Sequence, residues 1–211
     1  MSTSRHDVVV VGAGQAGLAM SRCLSRRDVD HVVLERHEVA SAWQRQRWDS
    51  LRLLTPNWMT RLPDAAPFAG PADGFAHAAE VATYLRNYAS TIDAPVVTGC
   101  PADRIEQRHS GWQLRTALGT MTARAVVLAT GPGSTPRLPA VASALPHGVR
   151  AMTALDYRNP DQLDDGDILV VGASASGAQI ADELARAGRN VTLAVGEHVR
   201  ALRTYRGHDL Y

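Results

Sequence analysis

The chain has 211 residues, one large domain or one and a half at roughly 150 residues per domain, and 22 basic against 21 acidic residues give a net charge of +1. With 45% hydrophobic and 20% charged residues, no apolar run near the ~18 residues of a membrane span and no basic field, it reads as globular and soluble, with no membrane or nucleic-acid partner. All 22 basic residues are arginine, which excludes a Walker-type phosphate loop and a pyridoxal Schiff base, and Cys23 and Cys100 form no CxxC pair for zinc, a disulfide framework or a redox dithiol.

The first seven residues are short and polar and lead directly into a strand, leaving no room for a signal peptide, so a cytoplasmic location is expected. Residues 8–11 are an unbroken valine run ending at Gly12, the pattern of a strand buried on both faces of a parallel sheet. A helix follows from Ala16, with Ala16, Met20, Cys23 and Leu24 as its apolar stripe, and residues 31–34 begin a second strand. Asp28 stands where such a helix usually carries a left-handed C-terminal glycine. The unit is βαβ.

Residues 43–74 hold Pro56, Pro63, Pro67 and Pro71 among arginines and tryptophans, a long connection of the kind that tends to be functional. A helix is predicted over 79–92, with Val81, Tyr84, Leu85, Tyr88 and Ile92 on one face. Residues 96–97, 104–107, 111–116 and 120–123 read as a small antiparallel meander, and 125–129 as a further fully buried strand ending at Thr130 and Gly131. The Pro- and Gly-dense stretch 131–139 then marks a domain boundary, giving domains 1–135 and 136–211.

Beyond the boundary the opening pattern returns at an offset of 160 residues, from Gly12 to Gly172. Residues 168–171 form a buried strand, a helix carries Ile180, Ala181, Leu184 and Ala187 on one face and stops at Gly188, and a strand runs over 191–195. The expected fold is α/β: a Rossmann-like parallel sheet with a small antiparallel meander, followed by a partial second Rossmann βαβ unit.

The first turn, Gly12-Ala13-Gly14-Gln15-Ala16-Gly17, is GxGxxG between a strand and a helix. Gly12 permits the tight turn, Gly14 allows a pyrophosphate to approach the backbone, and Gly17 lets the helix pack closely with its N-terminal dipole toward the phosphates. Glu35 ends the next strand, where a carboxylate accepts ribose hydroxyls and repels a 2′-phosphate, pointing to FAD or NAD rather than NADP. The second turn is Gly172-Ala173-Ser174-Ala175-Ser176-Gly177. Val195 takes the place of the ribose acid there, with Arg200 and Arg203 just beyond, which favours NADPH. The eight histidines show no ligand spacing, so no metal is expected.

These residues resemble the flavin-containing monooxygenases, two-dinucleotide-binding-domain flavoproteins that include YUCCA-type plant enzymes and bacterial relatives. The resemblance rests, in order, on GAGQAG at 12–17, Glu35-Arg36, Trp43, the Trp48-to-Pro63 segment, Ala129-Thr130-Gly131 and GASASG at 172–177. The family's FxGxxxH fingerprint is missing, since residues 147–158 lack both its Phe and its final His.

The resemblance implies FAD on Gly12, Ala13, Gly14, Gln15, Ala16 and Gly17, with Glu35 and Arg36 at the adenosine ribose. Trp43 and Thr130-Gly131 line the same cofactor, Asn57 contacts flavin and nicotinamide as the catalytic residue, and NADPH lies on residues 172–177 with Arg200. It implies an oxidoreductase that uses FAD, NADPH and O2 to insert one oxygen into a small nucleophilic or carbonyl substrate. Relatives continue beyond the second unit, so the chain reads as C-terminally truncated, with self-association through the unfinished domain. Two alternatives stay open: an NADPH-dependent reductase of the same fold, and a non-catalytic FAD-binding remnant.

Overall fold

The computed structural model describes residues 3–131, 135–197, 204–205 and 208–209. β1 (Thr3–Val11), α1 (Gln15–Ser25) and β2 (His31–Leu34) form the expected first unit, with β1 and β2 parallel and Val8 opposite His31 through Val11 opposite Leu34. Alternate side chains point to opposite faces. Val10 and Val33 join Leu18, Leu85 and Tyr88 on one side, while Val9, Val32 and Leu34 join Leu114 and Met121 on the other.

Met20 and Leu24 of the expected α1 stripe pack against the core, but the most buried positions lie beside that stripe. Gly17, Leu18 and Ser21 are buried, whereas Ala16 in the first turn is exposed. A polar residue faces inward because Ser21 Oγ lies 2.8 Å from His31 Nε2, a partner that removes the cost of burying the hydroxyl. Asp28 takes the left-handed conformation expected of it, at φ 52°.

The long connection holds α2 (Ser41–Arg45) and a 3-10 turn, Asn57–Met59. It then folds back on itself as an irregular ladder. Leu53 N–H donates to the Ala76 carbonyl, Ala78 N–H to Leu51, and Asn57 N–H to Gly74, at 2.8–3.0 Å. α3 (Ala78–Thr91) carries the predicted face, with Glu80 Oε2 accepting the His77 N–H at 2.7 Å as an N-terminal cap.

β3 (Val96–Val97) does not belong to the meander. It pairs parallel to β2, filling that strand's free edge, because the Pro95 and Val97 carbonyls accept the Val33 and Glu35 N–H groups, each at 2.9 Å. The meander is β4 (Ala102–Arg108), β5 (Gly111–Thr116) and β6 (Gly119–Leu128), and the six strands form one sheet in the order β3-β2-β1-β6-β5-β4. The two short strands expected over 120–129 are therefore one. Its second half is not fully buried: β5 pairs with β6 only as far as Ala123, and Leu128 is 69% exposed.

The second unit is a separate two-stranded parallel sheet, β7 (Ile168–Val171) and β8 (Val191–Ala194), joined by α4 (Ala175–Arg186). Ile180, Ala181 and Leu184 are buried, but Ala187 lies past the last turn and is exposed. Gly188 stops the helix at φ 78°. β7 is not the buried strand its composition suggests. Ile168 and Val170 pack inward, while Leu169 and Val171 are 62% and 76% exposed, since no layer covers their face among the described residues. Residues 204–205 and 208–209 form a short antiparallel pair. No helix among the described residues is long and apolar enough to cross a membrane.

Candidate nucleotide-binding site

The first glycine turn is built by backbone contacts that leave little freedom. Gly12, at φ 108°, donates its N–H to the Leu34 carbonyl at 2.7 Å, and a Cβ there would lie 2.5 Å from the Ala129 carbonyl oxygen. A Cβ on Gly17 would overlap the Gly12 carbonyl oxygen, so only glycine lets α1 pack this closely on its own turn. Gly14 is different: among the described residues a Cβ there would meet nothing within 4 Å. No side chain caps α1, and its first turn carries no acid. The result is an open cradle at a helix N-terminus whose free N–H groups and dipole favour an anion. Gln15 and Ala16 are exposed beside it, and Thr130 and Gly131 are exposed past the strand end that Gly12 packs upon.

Glu35 is only 7% exposed and holds the turn from below. Its Oε2 accepts the Ala13 N–H at 2.9 Å, and its Oε1 accepts the His37 N–H at 3.0 Å and the Ser41 hydroxyl at 3.3 Å. This structural role was not foreseen from the strand-end position alone. Sequence offered no signal for it, because the three donors come from separate segments. Ala13 also accepts the Ala40 N–H through its carbonyl at 3.2 Å.

Arg36 lies on the rim of a cavity of about 410 Å³ that is also lined by His37, Ser41, Arg45, Asp156 and Arg158. Arg45 pairs with Glu38 at 2.9 Å. Hydrogen bonds from the Thr153 hydroxyl and N–H hold the Asp156 carboxyl below its ordinary range. Trp43, half-buried in α2, packs against the core of both units under the Arg47 guanidinium, 5.3 Å from the ring centroid; burial lowers the Arg47 pKa.

Asn57 is buried and fixed by its Nδ2 donating to the Pro71 carbonyl at 3.0 Å, while its Oδ1 has no hydrogen-bond partner among the described residues. Trp48 Nε1 is likewise buried without a partner among the described residues. The contacts of Asn57 are with residues 70–74 rather than with the glycine turn.

The second turn repeats the first in backbone detail. Gly172 N–H donates to Ala194 at 3.0 Å, and a Cβ on Gly177 would overlap the Gly172 carbonyl oxygen. Ser174 and Ser176 are exposed, Ala173 is half-buried, and Ala175 opens α4, which has no capping side chain and no acid in its first turn. Val195 is 59% exposed, and Arg200 and Arg203 lie outside the described residues. No hydrogen bond joins the two turns to each other among the described residues. Nor does any cluster of His, Cys, Asp and Glu among them suit a metal ion.

Comparison with known proteins places this geometry in context. The pyridine nucleotide-disulphide oxidoreductase family matches residues 9–206. The chain is 37% identical over 195 residues to an uncharacterized CzcO-like oxidoreductase of Geobacillus kaustophilus, a match covering 92% of this chain and 55% of that protein. It is 30% identical over 198 residues to indole-3-pyruvate monooxygenase YUCCA1 of Oryza sativa, covering 92% and 48%. Among solved structures it is similar to a flavin monooxygenase mutant from Stenotrophomonas maltophilia, at 27% identity and a TM-score of 0.79, covering 92% of this chain and 58% of that one. The chain spans about half the length of the curated relatives it matches.

Proposed function

The chain belongs to the pyridine nucleotide-disulphide oxidoreductase family, and from that premise we propose that it is a FAD-dependent, NADPH-using oxidoreductase of the monooxygenase type, acting on a small nucleophilic or carbonyl substrate with O2. The observation that carries this reading is the open cradle over Gly14 at the uncapped, acid-free start of α1. It suits a dinucleotide pyrophosphate held by Gly12, Gly14, Ala16 and Gly17. Glu35 has three donors on its two oxygens, and a carboxylate offers about four acceptor sites, so one ribose hydroxyl can be added without displacing the chain's own bonds.

When bound, FAD supplies two-electron acceptance from NADPH and, once reduced, reactivity toward O2. The protein's part is to bind, orient and exclude water. Asn57 Oδ1, buried and without a hydrogen-bond partner among the described residues, is an acceptor that an N–H on a ring edge would satisfy. Residues 172–177 and the start of α4 take the NADPH pyrophosphate in this reading, with the exposed Ser174 and Ser176 hydroxyls as donors. Val195 in place of an acid removes the repulsion a 2′-phosphate would meet, and Arg200 supplies its counter-charge. The domains are then 1–135 for FAD and 136–211 for NADPH.

FAD titration of the purified chain tests the reading, with Gly14→Val as the decisive variant. The branched side chain fills open space, so stability should be nearly unchanged while affinity drops about a hundredfold or more. FAD binding that survives in Gly14→Val at wild-type strength overturns the assignment. A second reading, a FAD-binding unit without turnover, is favoured by the exposure of Leu169 and Val171. NADPH consumption with FAD added separates the two.

A further inference from the structure

No hydrogen bond joins the two glycine turns among the described residues, yet a side chain of the helix that opens at the second turn holds the long connection that runs to Asn57. Gln179, in the second turn of α4, grips the backbone of Arg52: its Oε1 accepts the Arg52 N–H at 3.2 Å, and its Nε2 donates to the Arg52 carbonyl at 3.1 Å. Both main-chain groups of one residue are thus satisfied by a side chain 127 residues away.

Arg52 is also the start of the run that reaches Asn57. It bridges His77, its guanidinium donates to the Phe75 carbonyl at 2.9 Å, and the ladder continues through Leu53 N–H to Ala76 and Asn57 N–H to Gly74. Other contacts hold the same segment against the second unit. Trp48 and Leu51 pack with Ile180, Leu184 and Tyr157, and the Tyr157 hydroxyl donates to Glu183 at 2.7 Å, one turn after Gln179 on the same helical face. Asp49 N–H donates to the Arg158 carbonyl at 2.8 Å. Apart from Asn57, none of these residues is among those assigned to a cofactor.

We propose that Gln179 is a positioning residue that couples the two nucleotide sites. A dinucleotide seated on residues 172–177 orders the first turn of α4, α4 carries Gln179 as a rigid element, Gln179 fixes Arg52, and Arg52 fixes the ladder that ends at Asn57. Each nucleotide then favours the arrangement in which Gln179 grips Arg52, and each raises the affinity for the other by the same factor. This rests on the reading of both turns as nucleotide sites.

The test is the dissociation constant of FAD measured with and without saturating NADP+. Wild type should bind FAD about fivefold more tightly or better in the presence of NADP+. Gln179→Ala should bring that ratio to one while leaving FAD affinity without NADP+ within about twofold of wild type. Gln179→Glu keeps the side-chain shape and the acceptor for the Arg52 N–H but sets a carboxylate against the Arg52 carbonyl. It should also abolish the ratio, and it carries the test if Gln179→Ala unfolds. A variant that weakens FAD equally with and without NADP+, leaving the ratio intact, overturns the coupling. So does a ratio of one in wild type with both nucleotides bound, although the sites then stand. Wild type that binds neither nucleotide overturns the reading of the sites and the coupling together.

Discussion

The two βαβ units share a backbone and differ in what surrounds it. Backbone hydrogen bonds of the turn and helix recur at the 160-residue offset: Gly12 to Leu34 and Gly172 to Ala194, Leu18 to Gly14 and Ala178 to Ser174, Val29 to Leu24 and Arg189 to Leu184. Yet Val9 is fully buried, whereas its counterpart Leu169 is 62% exposed. β1 lies between β2 and β6, while β7 pairs only with β8 among the described residues. A Cβ on Gly12 would strike the Ala129 carbonyl, and one on Gly172 would meet nothing within 4 Å among the described residues. A glycine turn therefore specifies its own geometry, and neighbouring strands decide whether that geometry sits in a wall or in the open.

The comparison breaks most visibly at Gly17 and Gly177. Each Cβ would overlap a backbone carbonyl oxygen, so Gly17→Ala and Gly177→Ala should each cost about 3 kcal/mol by forcing a helix off its turn. Thermal melts should fall for both, but FAD affinity should collapse only in Gly17→Ala. Equal loss of FAD in the two variants would mean that the units are not separate sites.

Next in size is Glu35 against its counterpart Val195. Glu35→Ala leaves the buried Ala13 N–H and two further donors without an acceptor, an expected cost of about 2–3 kcal/mol, whereas Val195→Ala on an open surface should cost less than ~0.5 kcal/mol. Urea midpoints of the two variants measure the difference directly.

The smallest effect is alkaline. Burial pushes the Tyr88 hydroxyl up to about 12 in the first unit. Burial, followed by donation to Glu183, raises Tyr157 in the second. A folded pKa above the unfolded value of about 10 favours the protonated folded state, so this stability is complete below pH ~10 and fades as pH rises through about 12. Tyr88→Phe and Tyr157→Phe should each flatten that decline in a series of melts from pH 8 to about 12. Both variants lose a hydrogen bond at neutral pH, Tyr88 to the Pro63 carbonyl and Tyr157 to Glu183, and Tyr157→Phe should cost the more, by about 1 kcal/mol, because its acceptor is a carboxylate.

The sequence by itself determined the two turns, their offset, the glycine and Asp28 conformations and nearly every element, because φ preferences, turn chemistry and apolar periodicity act over a few residues. It misplaced residues 96–97, split β6, buried β7 and set Ala16 on the inner face of α1, because each of those depends on which strand or side chain arrives from elsewhere. The same division runs through the site. Gly14 and Glu35 were legible as positions, but the open space over Gly14, the three donors on Glu35, the orphaned Asn57 oxygen and the Gln179 clamp on Arg52 exist only where distant segments meet. Hydrogen bonds and burial are satisfied in space, between residues as far as 127 positions apart, and no local pattern encodes such a pairing.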